Sequence, residues 1–343
     1  MKRRALNPFI FFWSVIAVSA LVLTGSPAPA AEPIEIRVGH VMASGHPYDL
    51  GVKRFKELLE GQTGGRVKVT IFPNATLGGE RDMIEGTKLG TLEVVFADAT
   101  ITGTVADVRR SFVLLMPFLF SNYDQYGKVL EGSVGNEMSE LFRQKGIRIA
   151  GWMTAGFHQL LNRVRPIHTP QDAKGLKMRM WESKSAQLAM RSLGTTVIPM
   201  AFPEVYTGLQ QGVIDGLSNS YATFYTQKFY EVTKYISVGN WLISTMSFSL
   251  GEQFFQKLPP DIQKAVLDSG KEAARFERSL YLEADKKYLD LLKKESKLQF
   301  NELNREAFVK QVMPFRKDFA ELIGGSDAAQ YVDKVVAEVN KNK

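Results

Sequence analysis

The chain has 343 residues, a formal net charge of +7, 45% hydrophobic residues and no cysteine. The lack of cysteine excludes disulfide bonds and lipid attachment through an N-terminal cysteine. The lysines and arginines are scattered rather than clustered, so the mild basic excess does not indicate a nucleic-acid-binding surface.

The N-terminal segment has the pattern of a secretory signal peptide. The basic residues 2–4 precede an apolar run over 9–23, and Ala-Pro-Ala at 28–30 supplies the small residues of a cleavage site. Cleavage after Ala30 would remove three positive charges and no acidic residue, which lowers the net charge from +7 to +4. We predict a signal peptide over 1–30. Because no anchor is available, we expect the exported chain in the periplasm of a Gram-negative bacterium.

The length after residue 30 exceeds that of one typical core, so we expect two lobes. The first lobe is predicted over residues 31–155 plus 245–280, and the second over 156–244 plus 281–343. The opening alternates strands and helices, which favours parallel pairing in an α/β fold. Its predicted elements are strands over 34–38, 67–71, 92–97 and 147–153, helices over 47–59, 80–89 and 123–144, and an apolar run over 112–120.

The segment GLKMRMWESKSAQLAMRSLGTTVIPMAFPEVYTGLQQGVIDGLSNS, from Gly175 to Ser220, is the centre of the second lobe. Leucine and methionine alternate with Lys177, Arg179 and Trp181, which is the period-two pattern of a half-buried strand. The elements that follow are predicted as a β-branched strand over 195–200, a short helix over 203–211 and a strand over 213–220.

Two polar residues of this segment, Arg179 and Asn219, lie near predicted strand ends. Ligands of open α/β sheets collect at the carboxyl ends of strands. The planar guanidinium of Arg179 matches a carboxylate with two parallel hydrogen bonds, and the amide of Asn219 both donates and accepts. The alternative is an ordinary strand arginine that lies in solvent with its stem over apolar neighbours.

Residues 162–220 resemble the DctP-type substrate-binding proteins of TRAP transporters, through LNRVRPIHTPQDAKGLKMRM, PMAFPEVYTGLQQGVIDG and Asn219. The resemblance implies a two-lobed periplasmic-binding-protein fold, in which each lobe is a mixed sheet flanked by helices and one long helix spans both lobes. It also implies that Arg179 forms a salt bridge with the carboxylate of an organic acid. Asn219 would then hydrogen-bond that carboxylate, and Phe202 would pack on the ligand.

Three polar residues of the first lobe, His40, Glu80 and Asp98, lie at the ends of predicted elements. From the residues alone, each can equally be a helix cap or a loop charge. The segments VGHVMASGHP and LGGERDMIEG are also similar to the family. That similarity implies that acidic and polar residues here border the ligand pocket.

The sequence departs from the family after the Gly156-Phe157 pair, where many relatives carry an arginine and this chain has His158. Histidine is a weaker donor that can be neutral at periplasmic pH, so a second carboxylate on the ligand is disfavoured. Trp181 and Glu182 replace the proline and polar residue that relatives often have. We therefore expect a monocarboxylate with an apolar or aromatic body, although each aromatic can also be ordinary core.

The C-terminal part is dominated by a helix predicted over 260–296, about 55 Å long at the standard rise per residue. A helix of that length must lie across both lobes, unless it is two helices bent near Gly270. The remaining elements are predicted as strands over 235–237, 241–250 and 298–300 and helices over 305–322 and 327–340.

No sequence motif of catalysis stands out, and the four histidines are too dispersed to suggest a metal site. We predict a monomeric solute receptor without cofactor or metal, which delivers an organic acid to TRAP membrane subunits and does not bind nucleic acid. Two alternatives remain open at this point. One is a binding protein of an ABC importer or chemoreceptor, and the other is a periplasmic lyase or isomerase.

Overall fold

A computed structural model describes residues 32–342, so the predicted signal peptide lies outside the described residues. The strands within this range are β1 (Ile34–Gly39), β2 (Val67–Phe72), β3 (Val94–Asp98), β4 (Ile147–Asn162), β5 (Lys177–Met180), β6 (Thr196–Pro199), β7 (Gly216–Asn219), β8 (Tyr235–Gly251) and β9 (Gln299–Glu302). None of the helices in residues 32–342 combines the length and apolar character needed to cross a bilayer.

The α-helices of the described range are α1 (Pro47–Gln62), α2 (Glu80–Leu89), α3 (Ala99–Ala106), α4 (Tyr123–Glu131), α5 (Ser133–Gln144), α6 (Pro170–Ala173), α7 (Lys184–Ser192), α8 (Val205–Gln211), α9 (Tyr221–Thr226), α10 (Glu252–Lys257), α11 (Pro260–Glu295), α12 (Arg305–Val312), α13 (Arg316–Ile323) and α14 (Ala328–Lys341). Short 3-10 helices cover Arg109–Leu115, Phe202–Glu204, Phe229–Glu231 and Met313–Phe315. The apolar face predicted for the first helix is buried, and its members are Tyr48, Val52, Phe55 and Leu59.

The strands form a mixed sheet in the order β2-β1-β3-β8-β4-β7-β5-β6, with β9 beside β8. Strand β1 pairs in parallel with β2 and β3, and β5 pairs in parallel with β6 and β7. The two parallel groups are joined by the antiparallel pair β4 and β8, which runs through both of them. This arrangement confirms the predicted two-lobed α/β class, while the lobe boundaries remain a prediction.

The pair β4 and β8, which we call the crossing strands, is longer than the sequence indicated. The prediction ended β4 at residue 153 and divided β8 into 235–237 and 241–250, whereas the strands contain 16 and 17 residues. Their register shifts three times, between Ile149 and Gly151, between Thr154 and Phe157, and between His158 and Leu160. These irregularities let one continuous ribbon change direction between the lobes, because a bulge bends a strand and increases its twist.

Helix α11 is one continuous helix of 36 residues, as the predicted spanning helix requires, so the alternative of two separate helices divided near Gly270 is wrong. Gly270 is instead a point of close packing between the helix and β4. A Cβ atom added there would lie 2.6 Å from Ala150 Cβ and 2.7 Å from the Ala150 carbonyl oxygen. A Cβ on Gly151 would lie 2.5 Å from the Gly270 carbonyl oxygen. Two glycines therefore allow helix and strand backbones to approach each other directly.

Two predicted helices are wrong in detail. The helix expected over 123–144 is divided at Gly132, which ends α4 and caps α5 in an extended conformation. The helix expected over 305–322 is interrupted by the 3-10 turn Met313–Phe315, because Pro314 has no N–H for the helical hydrogen bond. In both places the apolar spacing continues through the break, so periodicity alone did not reveal it.

Candidate ligand-binding site

A cavity lies where the crossing strands meet α1, α2, β3, β5 and β7. The residues that line it are Met42, Tyr48, Glu80, Asp98, Ala155, His158, Arg179, Trp181, Phe202, Asn219, Ser244 and Met246. The space that the centre of a water molecule can occupy in it is about 30 Å³. The cavity therefore has room for about two water molecules. A solute larger than that enters only if the lobes separate or the lining side chains move.

Arg179 lies on β5 between β6 and β7, and its side chain is buried at 2% exposure. Its Nε donates a hydrogen bond to the Met200 carbonyl oxygen at 2.9 Å. Among residues 32–342, no carboxylate forms an ion pair with the guanidinium, and its two terminal nitrogens have no hydrogen-bond partner. The Nε bond fixes the plane of the group, so the terminal N–H groups remain available for a ligand.

The charge of Arg179 is held in an unfavourable environment. Burial lowers its pKa to about 10, although Glu80, Glu182 and Asp98 favour the charged form. The group stays protonated at neutral pH, so the cavity carries a desolvated positive charge. Such a charge attracts an anion far more strongly than an exposed arginine does, because water screens it less.

Asn219 ends β7 and is buried beside the same cavity. Its side-chain oxygen accepts a hydrogen bond from the Ser220 backbone N–H at 2.8 Å. This contact fixes the orientation of the amide and leaves the NH2 group as the free end. Asn219 therefore offers donors, as Arg179 does.

Two carboxyl groups lie across the cavity. Asp98 caps α3, and its Oδ1 accepts from the backbone N–H of Thr100 at 2.8 Å and of Ile101 at 3.2 Å, while its buried Oδ2 has no partner in residues 32–342. Glu80 begins α2, is half-buried, and its Oε2 accepts from the Asp98 backbone N–H at 3.4 Å.

The two carboxyl groups have different pKa values. Burial raises the pKa of Asp98 to about 6, and burial together with the nearby Asp98 raises the pKa of Glu80 to about 8. At pH 7 the first is mainly ionised and the second mainly protonated. The wall thus presents an acceptor and a group that can donate. No cluster of acidic or histidine side chains in the described residues is arranged to hold a metal ion.

Three of the lining rings, those of His158, Trp181 and Phe202, lie around Arg179. The ring centroids of His158 and Trp181 are 5.8 Å apart in an edge-to-face arrangement. The Arg179 Cζ lies 5.6 Å from the Phe202 ring centroid and 6.0 Å from that of Trp181. The two aromatic faces therefore flank the guanidinium, where they shield it from water and stabilise its charge.

The structure brings most of the predicted site residues together but leaves two outside the lining. Glu182 is exposed, because β5 ends at Met180 and the chain turns so that the Ser183 N–H bonds to the Trp181 carbonyl oxygen. His40 is fully buried beneath α1, with its Nε2 3.5 Å from Asp49 Oδ1. Neither side chain reaches the cavity.

The sequence interpretation missed several lining residues. Tyr48 was assigned only to the core face of α1, yet it also lines the cavity. Ser244 and Met246 on β8 line it as well, and their spacing of two on one strand is the signal that could have identified them. Met42 and Ala155 lie on irregular or crossing segments that gave no such signal.

These features together define a binding protein that holds an anionic solute between two α/β lobes. Residues 38–322 match the family described as bacterial extracellular solute-binding protein, family 7, and the chain belongs to that family. The family consists of solute-binding receptors, which confirms the predicted class.

The relatives agree over nearly the whole chain. The C4-dicarboxylate-binding periplasmic protein DctP of Rhodobacter capsulatus is 31% identical, over 92% of this chain and 95% of its own. The sugar acid binding protein DctPAm of Advenella mimigardefordensis, solved with galactonate, superposes with a TM-score of 0.86 at 25% identity, covering 91% and 99% of the two chains. A TRAP periplasmic solute binding protein of Polaromonas, bound to D-erythronate, gives 0.84 at 30% identity, covering 89% and 98%.

Proposed function

We propose that this protein is a periplasmic receptor that binds an organic acid through Arg179 and Asn219 and delivers it to TRAP-type membrane subunits. The observation that carries the proposal is the buried guanidinium whose terminal N–H groups have no partner within residues 32–342. A ligand carboxylate would supply the negative countercharge of Arg179 and accept those hydrogen bonds. We further infer that the receptor acts as a monomer and returns its ligand chemically unchanged.

Recognition begins with the carboxylate end of the ligand. The two terminal nitrogens of Arg179 present parallel donors, and the Asn219 NH2 group adds another donor at the end of the neighbouring strand. When the lobes close over the acid, water leaves the cavity and the ion pair strengthens. The donors are already oriented by Met200 and Ser220, so little side-chain freedom is lost on binding.

The opposite wall indicates the rest of the ligand. The buried Asp98 Oδ2 is an unpaired acceptor, and Glu80 beside it is a second carboxyl group. A second ligand carboxylate here would be repelled by the ionised Asp98, whereas a ligand hydroxyl group can donate to Asp98 and accept from the protonated Glu80. We therefore propose a hydroxylated monocarboxylate, and the structural relatives solved with galactonate and D-erythronate support this class.

A second candidate is the monocarboxylate with an apolar or aromatic body that the sequence suggested. The aromatic faces of Trp181 and Phe202 beside Arg179 favour it. Its disadvantage is that it would leave Asp98 Oδ2 buried without a partner, which costs roughly 1–3 kcal/mol. The hydrocarbon face of a hydroxylated acid can use the same aromatic walls without that cost.

Three acids with the same four-carbon chain separate these possibilities by isothermal titration calorimetry. D-erythronate carries hydroxyl groups, butanoate is apolar, and succinate has a second carboxylate. We expect D-erythronate to bind at least about tenfold more tightly than either, since one lost buried hydrogen bond is worth about that factor. Tighter binding of butanoate would support the apolar body, and tighter binding of succinate would contradict the monocarboxylate. If none of these acids, nor galactonate, bound, the proposed function would be wrong.

The affinity should also depend on pH through Glu80. A bound carboxylate adds negative charge near this group and raises its pKa above about 8, so binding takes up a proton when the free group is ionised. The dissociation constant of D-erythronate should therefore rise between about pH 7 and pH 9, by no more than about tenfold per pH unit for one proton. The Glu80→Gln variant, which cannot ionise, should show a flat profile. An equal slope in both proteins would show that another group is responsible.

A further inference from the structure

His158 occupies a position in the cavity that the carboxylate contacts do not explain. We propose that His158 is a specificity residue, a neutral imidazole that donates one hydrogen bond from Nε2 to an uncharged oxygen of the ligand. Ser218 and Trp241 are the positioning residues that decide which ring nitrogen carries the proton. The inference rests on the proposed function, because it concerns the same cavity.

The assignment starts from Trp241, whose side chain is fully buried. The indole N–H can only donate, and it lies 2.9 Å from Ser218 Oγ. Ser218 Oγ therefore accepts this bond and retains its own hydroxyl proton. Within residues 32–342, the other side-chain partner of that hydroxyl is His158 Nδ1 at 3.1 Å. The hydroxyl proton consequently points to the imidazole.

This chain of bonds fixes the tautomer of His158. When Ser218 donates to Nδ1, that nitrogen must be the unprotonated acceptor of the neutral ring, and the proton lies on Nε2. The opposite tautomer would make Nδ1 and Trp241 both donate to Ser218 Oγ. The hydroxyl proton of Ser218 would then be left unpaired in a fully buried place, which is unfavourable.

The Nε2 atom is the end of the ring left for a ligand. It is buried, and it has no hydrogen-bond partner among the described residues. The ring lines the cavity with Arg179 and lies at 1% exposure. Burial and the nearby Arg179 lower the pKa of His158 to about 3, so the ring stays neutral across the physiological range.

A neutral N–H beside a guanidinium selects ligands differently from a second cation. It satisfies a hydroxyl or carbonyl oxygen near the bound carboxylate, but it supplies no charge to neutralise a second carboxylate. A ligand without that oxygen leaves Nε2 desolvated and unpaired, and sites of this kind discriminate strongly against such analogues. Position 158 therefore favours hydroxy or keto acids over simple and dicarboxylic acids.

The binding test compares His158→Leu, which removes the donor, with His158→Gln, whose amide can place a neutral N–H near the original Nε2. The exposed His168→Gln serves as the matched control. Calorimetric titration with D-erythronate and butanoate should show that the leucine variant loses at least about tenfold in affinity for D-erythronate but not for butanoate. The glutamine variant should retain most of the affinity for D-erythronate. Equal losses for both acids, or none in the leucine variant, would overturn the role of His158.

The positioning role has a readout that needs no ligand. Nitrogen-15 NMR of the free protein should show the His158 proton on Nε2 and none on Nδ1 between about pH 5 and pH 8. In Ser218→Ala, both nitrogens should share the proton. A proton on Nδ1, or titration of His158 near pH 6.5, would contradict the positioning role of Ser218 and Trp241. Failure of the wild-type protein to bind any acid would sink the proposed function instead, whatever the tautomer.

Discussion

Replacing Arg179 with alanine should lower the affinity for D-erythronate by two to more than three decades, which corresponds to roughly 3–5 kcal/mol. The loss is large because the variant leaves the ligand carboxylate desolvated without its countercharge. Arg179→Lys should lose most of the binding as well, since an ammonium group cannot form two parallel hydrogen bonds while holding the Met200 carbonyl oxygen. Calorimetric titration of the three proteins measures both effects.

Arg191→Ala is the matched control, because it removes the same charge from an exposed position on helix α7. Its affinity should stay close to that of the wild-type protein. Circular dichroism and unfolding curves should show that Arg179→Ala remains folded, since burial of the unpaired guanidinium is itself unfavourable. Wild-type affinity in either Arg179 variant would show that the acid binds elsewhere.

The second large effect concerns stability. Gly270→Ala should lower the free energy of unfolding by roughly 1–3 kcal/mol, because the new methyl group overpacks the contact between α11 and β4. The nearest atoms include the Ala150 carbonyl oxygen at 2.7 Å, and backbone cannot move aside as a flexible side chain can. Chemical denaturation measures the change. This outcome is the reverse of what helix propensity predicts for glycine in a helix.

Gly61→Ala provides the control, since Gly61 is also helical but a Cβ there meets no atom within 4 Å. This variant should be more stable by about 0.4–1 kcal/mol, because alanine restricts the unfolded chain. Changes of opposite sign in the free energy of unfolding would confirm that close backbone packing, rather than chain entropy, determines the effect of substitution at Gly270. Stabilisation by both substitutions would show that the spanning helix lies farther from β4.

The predictable parts of this protein are those that depend on the spacing of apolar and polar residues along the sequence. Helix α2 begins and ends at the expected residues, and the alternation around Arg179 placed a strand there. Family similarity then indicated that Arg179 on this strand binds the ligand. Such features depend on neighbours in sequence, and periodicity or a motif records them.

The parts that were missed depend on partners distant in sequence. Strand β4 read as ending early because its polar residues Thr154, His158 and Gln159 are buried by tertiary packing rather than exposed. Strand β8 read as interrupted at Gly239 and the exposed Asn240, where it nevertheless continues. Glu182 lies next to Trp181 in sequence but outside the cavity, because the chain turns between them. The bond from Trp241 to Ser218 joins residues on different strands, and no spacing rule could have revealed it.

Two of the three register shifts of the crossing strands lie on either side of His158. Because a bulge interrupts the ladder of hydrogen bonds, we expect the ribbon to bend here when the lobes separate. The same backbone would then carry both this bending and the hydrogen-bond donor that we propose for one ligand oxygen. We expect that a docking partner that separates the lobes would weaken this hydrogen bond without contacting the solute.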